Sequence, residues 1–167
     1  MSEAPYGDHD SHPGEDQGAS AEQQAPDGDS YTWYRRGLDL LGRGSPAAAA
    51  QLLERAAEAE PGARSVLEAL ARALFDTGRY AQAADSFRQI VEASPSDDYA
   101  HFGLGLALAR GGDPAAAAEY LALAAAMRPD LRHYTEALRG VRATLRARAE
   151  AGAAAAAPPD PAGDAPA

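Results

Sequence analysis

The chain has 167 residues, a formal net charge of −10, no cysteine and no lysine, so that all 15 basic residues are arginine. This length fits one domain with tails, and the lack of cysteine excludes disulfide frameworks, thiolate metal sites and cysteine nucleophiles. The charge is unevenly placed: residues 1–29 hold eight acids and no Arg or Lys, residues 151–167 add Asp160 and Asp164, and residues 30–150 balance 15 acids against 15 arginines. A neutral centre between acidic ends offers no basic surface to a phosphate backbone, so nucleic acid is not an expected partner. No stretch approaches 18 consecutive apolar residues, and the start is acidic where a signal peptide is basic and then apolar. Neither a membrane span nor export is expected, and the cytoplasm is the expected location.

Residues 1–29 are dominated by Asp, Glu, Gly, Gln, Pro, Ser and Ala, with Tyr6 their only Phe, Trp or Tyr. Such a segment buries too little apolar surface to offset the entropy of ordering, and a disordered acidic tail is expected there. Its Asp8-His9-Asp10-Ser11-His12 cluster carries metal-capable side chains, but nothing in the sequence fixes a ligand geometry, and no metal site is assigned.

Order is expected from Asp29-Ser30, which caps a helix over 31–43 whose Trp33, Gly37 and Leu40 share one face. Ser45-Pro46 opens the next helix, over 46–59, with a hydroxyl at the N-cap and proline at the first helical position. Helices follow at 64–77 and 80–93, with Leu67, Leu70, Ala71 and Leu74 facing Ala83, Ala84, Phe87, Ile90 and Val91. A third pair is expected at 98–111 and 114–127. A last helix, at 131–149, is thinly apolar and rich in arginine, which suits the polar end of a stacked array. Beyond Gly152 an alanine run passes into Pro158-Pro159-Asp160-Pro161, and residues 151–167 are expected to form a disordered Ala/Pro-rich tail.

These pairs repeat with a period of 34 residues: Gly44, Gly78 and Gly112; Ala49, Ala83 and Ala117; Leu53, Phe87 and Leu121; Pro61, Pro95 and Pro129. One such unit cannot bury its own apolar face and must stack on its neighbours. Gly37, Ala71 and Gly105 recur in the same way, and with the three alanines they are expected where the two helices of a hairpin cross closely.

The pattern resembles the tetratricopeptide repeat (TPR), with small residues at repeat positions 8 and 20, a large one at 24 and proline at 32. Trp33-Tyr34-Arg35-Arg36-Gly37 is similar to the start of that repeat, with Arg36 where leucine is usual. The resemblance implies an all-α solenoid of three TPR hairpins (repeats 30–63, 64–97 and 98–131) with a capping helix at 131–150. It also implies a concave groove lined by the first helix of each pair: Tyr31, Tyr34 and Leu38 from the first repeat, Glu68, Arg72 and Phe75 from the second, and Tyr99, Phe102, Leu106 and Arg110 from the third. Position 5 alternates Tyr34, Glu68, Phe102, so apolar pads are expected on either side of a polar middle. The Lys and Asn residues with which some members of the family grip a chaperone's terminal carboxylate are missing from the matching positions.

The function implied is a protein–protein interaction adaptor that holds a peptide or helix of a partner, with a self-associating structural module as the alternative. Catalysis is not expected. Gly42-Arg43-Gly44-Ser45-Pro46-Ala47 fits a dinucleotide fingerprint in letters, but a helix precedes it where that site needs a strand. The four histidines are scattered, and His101 stands in register with Trp33 and Leu67, a core position. No cofactor is called for.

Overall fold

A computed structural model describes residues 29–156. It consists of seven helices and, among the described residues, no strand: α1 (Ser30–Gly42), α2 (Pro46–Ala59), α3 (Arg64–Asp76), α4 (Tyr80–Ala93), α5 (Asp98–Arg110), α6 (Pro114–Met127) and α7 (Arg132–Ala156). The acidic segment with its Asp-His cluster and the residues after 156 lie outside that range.

Carboxylates start three of the helices. Asp29, Asp97 and Asp113 accept hydrogen bonds from the backbone N–H groups of Thr32, Ala100 and Ala116, satisfying donors that an N-terminus leaves without partners. Ser45 was expected to do the same for α2, but its hydroxyl makes no capping bond. The backbone of Asp113 is bent much like that of Ser45, and its carboxylate oxygen reaches one bond further. Pro46 instead supplies the fixed φ of the first turn.

The hairpin turns are one motif made three times. In the first, the Gly44 N–H donates to the Leu41 carbonyl at 3.0 Å and the Ser45 N–H to the Leu40 carbonyl at 2.9 Å. The same pair of bonds joins Gly78 to Phe75 and Arg79 to Leu74, then Gly112 to Ala109 and Asp113 to Leu108. This Schellman closure needs a left-handed residue, and the three glycines have φ of 72°, 77° and 99°.

Within each hairpin the small residues let the axes approach. A Cβ placed on Gly37 would lie 2.6 Å from Leu53 Cγ, and one on Gly105 would lie 2.6 Å from Leu121 Cγ and 3.2 Å from the Ala117 carbonyl oxygen. Leu53 and Leu121 are fully buried by that approach, as are Ala49, Ala83 and Ala117. Burying each leucine contributes roughly 1.5–3 kcal/mol. His101 is likewise buried, its ring nitrogen Nδ1 2.9 Å from the Asp97 carbonyl oxygen.

Successive hairpins stack, α2 on α3, α4 on α5 and α6 on α7. The first helices also touch one another along the array (α1 with α3, α3 with α5, α5 with α7), whereas α2, α4 and α6 do not. The second helices therefore splay apart, and the first helices line the inside of the curve.

The last helix continues past its expected end near residue 149 and runs through the alanines to Ala156. Alanine has the highest helix propensity, and a single interior glycine such as Gly152 costs only about 1 kcal/mol. Leu138 and Val141 are buried against Ala117 and Leu121, so α7 closes the apolar end of the stack.

Two glycines separate packing from propensity. Gly105→Ala should lower stability by about 1–3 kcal/mol, because the added methyl has a leucine and a backbone carbonyl in its way. Gly140→Ala, in α7 with nothing within 4 Å, should raise it by about 0.5–1 kcal/mol. Thermal unfolding of the two variants checks both signs.

Candidate functional site

The inner surface is hollowed between α3 and α5. A cavity of about 240 Å³ opens there, lined by Arg72, Phe75, Asp76, Phe87, Tyr99, Phe102, Gly103 and Leu106. Five of the ten sequence-placed groove residues thus converge on one place. Arg110 joins them at the edge, its guanidinium carbon 5.9 Å from the centroid of the Phe75 ring. Glu68 stands one turn before Arg72 and is held by Arg64 at 3.4 Å.

The first repeat contributes less than expected. Tyr34 and Leu38 are half-buried against the central core, and Tyr31 is 64% exposed at the start of α1; none of the three lines the cavity. The groove therefore has one aromatic concentration, between repeats two and three, in place of two pads flanking a polar middle.

The cavity's walls are rings in edge contact. Phe87 and Tyr99 meet at 6.2 Å between centroids with planes 74° apart, and Phe75 meets Tyr80 at 5.2 Å and 68°. Such pairs contribute about 0.5–1.5 kcal/mol beyond the area they bury, which holds the lining in place. Burial raises the Tyr99 hydroxyl pKa above its usual value, against the pull of Arg72. That hydroxyl stays neutral near physiological pH and can act as donor or acceptor.

Phe87 and Gly103 form a floor that the repeat register did not single out as lining. Phe87 has the inward position of its hairpin and was assigned to the core; it is buried, yet its ring also borders the cavity. A Cβ on Gly103 would come within 2.4–2.7 Å of the Phe87 ring, so only glycine admits that ring. The available signal was a mid-helix glycine two residues ahead of the small-residue register at Gly105.

Phe102 has two roles. Its ring stacks on Tyr134 of α7, with centroids 4.3 Å apart and planes 18° from parallel, and His133 meets its edge at 5.2 Å. Tyr134 is 2% exposed, and its hydroxyl donates to Asp98 Oδ2 at 2.9 Å. Truncating Phe102 would therefore disturb the cap as well as the hollow.

The described residues include no group of three His, Cys, Asp or Glu side chains placed to hold a metal ion, and no helix long and apolar enough to cross a membrane. What the surface offers is an apolar hollow rimmed by Arg72, Asp76 and Arg110, an arrangement suited to holding a side chain.

The profile of the family described as tetratricopeptide repeat matches residues 34–98 and again 69–131. The chain belongs to the tetratricopeptide repeat family. No curated protein matches it. Among solved TPR structures, the first TPR of Spaghetti (RPAP3), bound to the HSP90 peptide SRMEEVD, superposes with a TM-score of 0.66 at 18% identity, over 71% of this chain and 94% of that one. The Sgt2 TPR domain from Aspergillus fumigatus gives 0.67 at 22% identity, over 82% and 90%. YrrB, described as a TPR protein with an unusual peptide-binding site, gives 0.64 at 22% identity, over 70% of this chain and 60% of its own length. At these identities the likeness is one of fold.

Burial and the bond to Asp98 raise the Tyr134 pKa well above the 10.0 of a free tyrosine. An unfolded chain releases this proton above pH 10 while the folded chain keeps it, so the contribution is complete below that pH and is lost as pH rises further. Tyr134→Phe should lower stability at pH 7 by about 0.5–1.5 kcal/mol, the value of a typical hydrogen bond. It should also flatten the decline in stability above about pH 10, which urea unfolding at several pH values checks.

Proposed function

We propose that this TPR domain is a protein-interaction module which binds a peptide or helix segment of a partner in the groove between α3 and α5. The observation that carries the reading is the aromatic hollow, built from residues of two repeats and bordered by Arg72, Asp76 and Arg110. A dry cavity of about 150 Å³ holds a benzene ring. A hollow of about 240 Å³ has room for one aromatic or branched aliphatic side chain.

The lining supplies what such an anchor needs. Phe75, Phe87 and Tyr99 provide apolar contact held in edge-to-face pairs, and Phe102 is held by its stack on Tyr134, so little ordering remains to be done on binding. Arg72, Asp76 and Arg110 orient the polar groups next to the anchor. Two fold neighbours support the choice of ligand class: the RPAP3 domain is bound to a peptide in its structure, and YrrB is described by its peptide-binding site. The partner segment proposed here leads with an apolar side chain, since the positions of a terminal-carboxylate clamp hold no Lys or Asn but Tyr31, Tyr34, Arg35 and Leu38, then Ser65, Glu68, Ala69 and Arg72, then Tyr99, Phe102, Gly103 and Leu106.

Peptides selected from a random display library on the full chain test this. Phe75→Ala should weaken the selected peptides by about 30-fold or more, the cost of a buried aromatic contact of about 2 kcal/mol. Arg110→Glu, a surface change at the same hollow, should weaken them by a smaller factor. Arg128→Ala, which removes only an exposed pair with Asp130, should leave them unchanged. Full-strength binding to a Phe75→Ala variant of normal helix content, or failure to select any peptide, would remove the groove from consideration.

A further inference from the structure

The last helix has a face that the groove does not use. In the hairpins, one side of the first helix is covered by the second, as Gly37 is by Leu53 and Gly105 by Leu121. Thirty-four residues on from Leu104, Gly105 and Leu108 stand Leu138, Arg139 and Arg142. α7 thus carries the same face, and no helix among the described residues covers it. In its place is an open groove of about 550 Å³, lined by Thr135, Leu138, Arg139, Arg142, Leu145 and Arg146.

The floor of this groove is apolar, since Leu138 is buried and Leu145 half-buried. Its walls are cationic. Arg139, Arg142 and Arg146 are exposed, and none of them pairs with a carboxylate among the described residues; the α7 pair is Arg132 with Glu136, at 3.8 Å. Leu138 and Leu145 are seven residues apart, two helical turns or roughly 10 Å along the axis.

We infer that this groove is a docking seat for an amphipathic helix of a partner protein, with apolar anchors two turns apart and carboxylates along their flanks. The repeat supplies the first half of the argument: this face receives a helix in every preceding hairpin. The arginines supply the second half. Where the hairpins have glycine or alanine at the crossing, α7 has Arg139, which holds a neighbouring axis further out and leaves guanidinium groups facing it. A neutral or basic helix would cover three cations without compensation, whereas an acidic flank pairs with them.

Two other occupants fit less well. The chain's own residues 1–28 are acidic but almost without large apolar side chains, so they cannot fill the floor. A second copy stacked by its first hairpin would set the exposed Arg35 and Arg36 of α1 against the arginines of α7.

The test is independent of the α3–α5 hollow. The probe is a labelled synthetic 18-residue helical peptide with leucines two turns apart and glutamates beside them, titrated with the full-length chain; a second peptide has lysine at every glutamate. The acidic peptide should bind, lose at least tenfold in affinity between 50 and 300 mM NaCl, and bind at least tenfold more tightly than the lysine peptide. Full-length Arg139→Glu/Arg142→Glu should lose at least tenfold, and Phe75→Ala should bind it unchanged. Equal affinity for the double variant, or for the lysine peptide, overturns the proposal. So does a result in which the probe binds only once the seven acids before Asp29 are changed to their amides, because the seat then belongs to the chain's own N-terminal segment.

Discussion

The array depends on one contact: a branched side chain of the second helix set down on a position of the first that has no side chain to oppose it. Leu53 lies on Gly37 and Leu121 on Gly105, close enough that a methyl group at either glycine would collide. This contact fixes the axis distance within a hairpin, and the axis distance fixes which residues remain to face the next hairpin. The middle hairpin differs. Ala71 holds the small-residue register there and Phe87 the large one, and the ring lies against Gly103 of the following hairpin. One side chain thereby packs its own hairpin, joins it to the next and forms the floor of the hollow.

Much of this was legible because the sequence repeats. Glycine at Gly44, Gly78 and Gly112 marks a turn whose left-handed residue is obligatory, and the alanine and glycine crossings are marked by the same period. Where a property depended on a single reach or a single neighbour, the period said nothing. Ser45 looked like a cap, yet its hydroxyl makes no capping bond from a backbone bent like that of Asp113, whose longer side chain does. Gly152 and the following alanines looked like the start of a disordered tail, and the helix runs through them to Ala156.

The groove shows the same division. The register named residues of the first helices, and of these Arg72, Phe75, Tyr99, Phe102 and Leu106 meet at one hollow. It could not tell that Tyr34 and Leu38 would pack sideways into the core, or that Tyr134 would occupy one face of Phe102. Those outcomes depend on how far each side chain extends and what stands beside it, which a periodic pattern does not encode. The hollow lies between the second and third repeats because Gly103 makes room there for a ring.

The order of the helix contacts has a consequence for how the molecule comes apart. Each helix meets only those one or two places away along the chain, and no contact joins α1 or α2 to α6 or α7. Contacts of short sequence separation carry little loop-closure entropy, so the chain should fold quickly for its length. The same arrangement makes opening local, since a terminal element can detach without breaking anything beyond its neighbour. Amide exchange should therefore be slowest in α3, α4 and α5 and faster toward both ends. The hollow sits in the slow-exchanging middle, whereas the arginine-walled seat is on the helix that opens most readily, and anything docked there would slow exchange through α7.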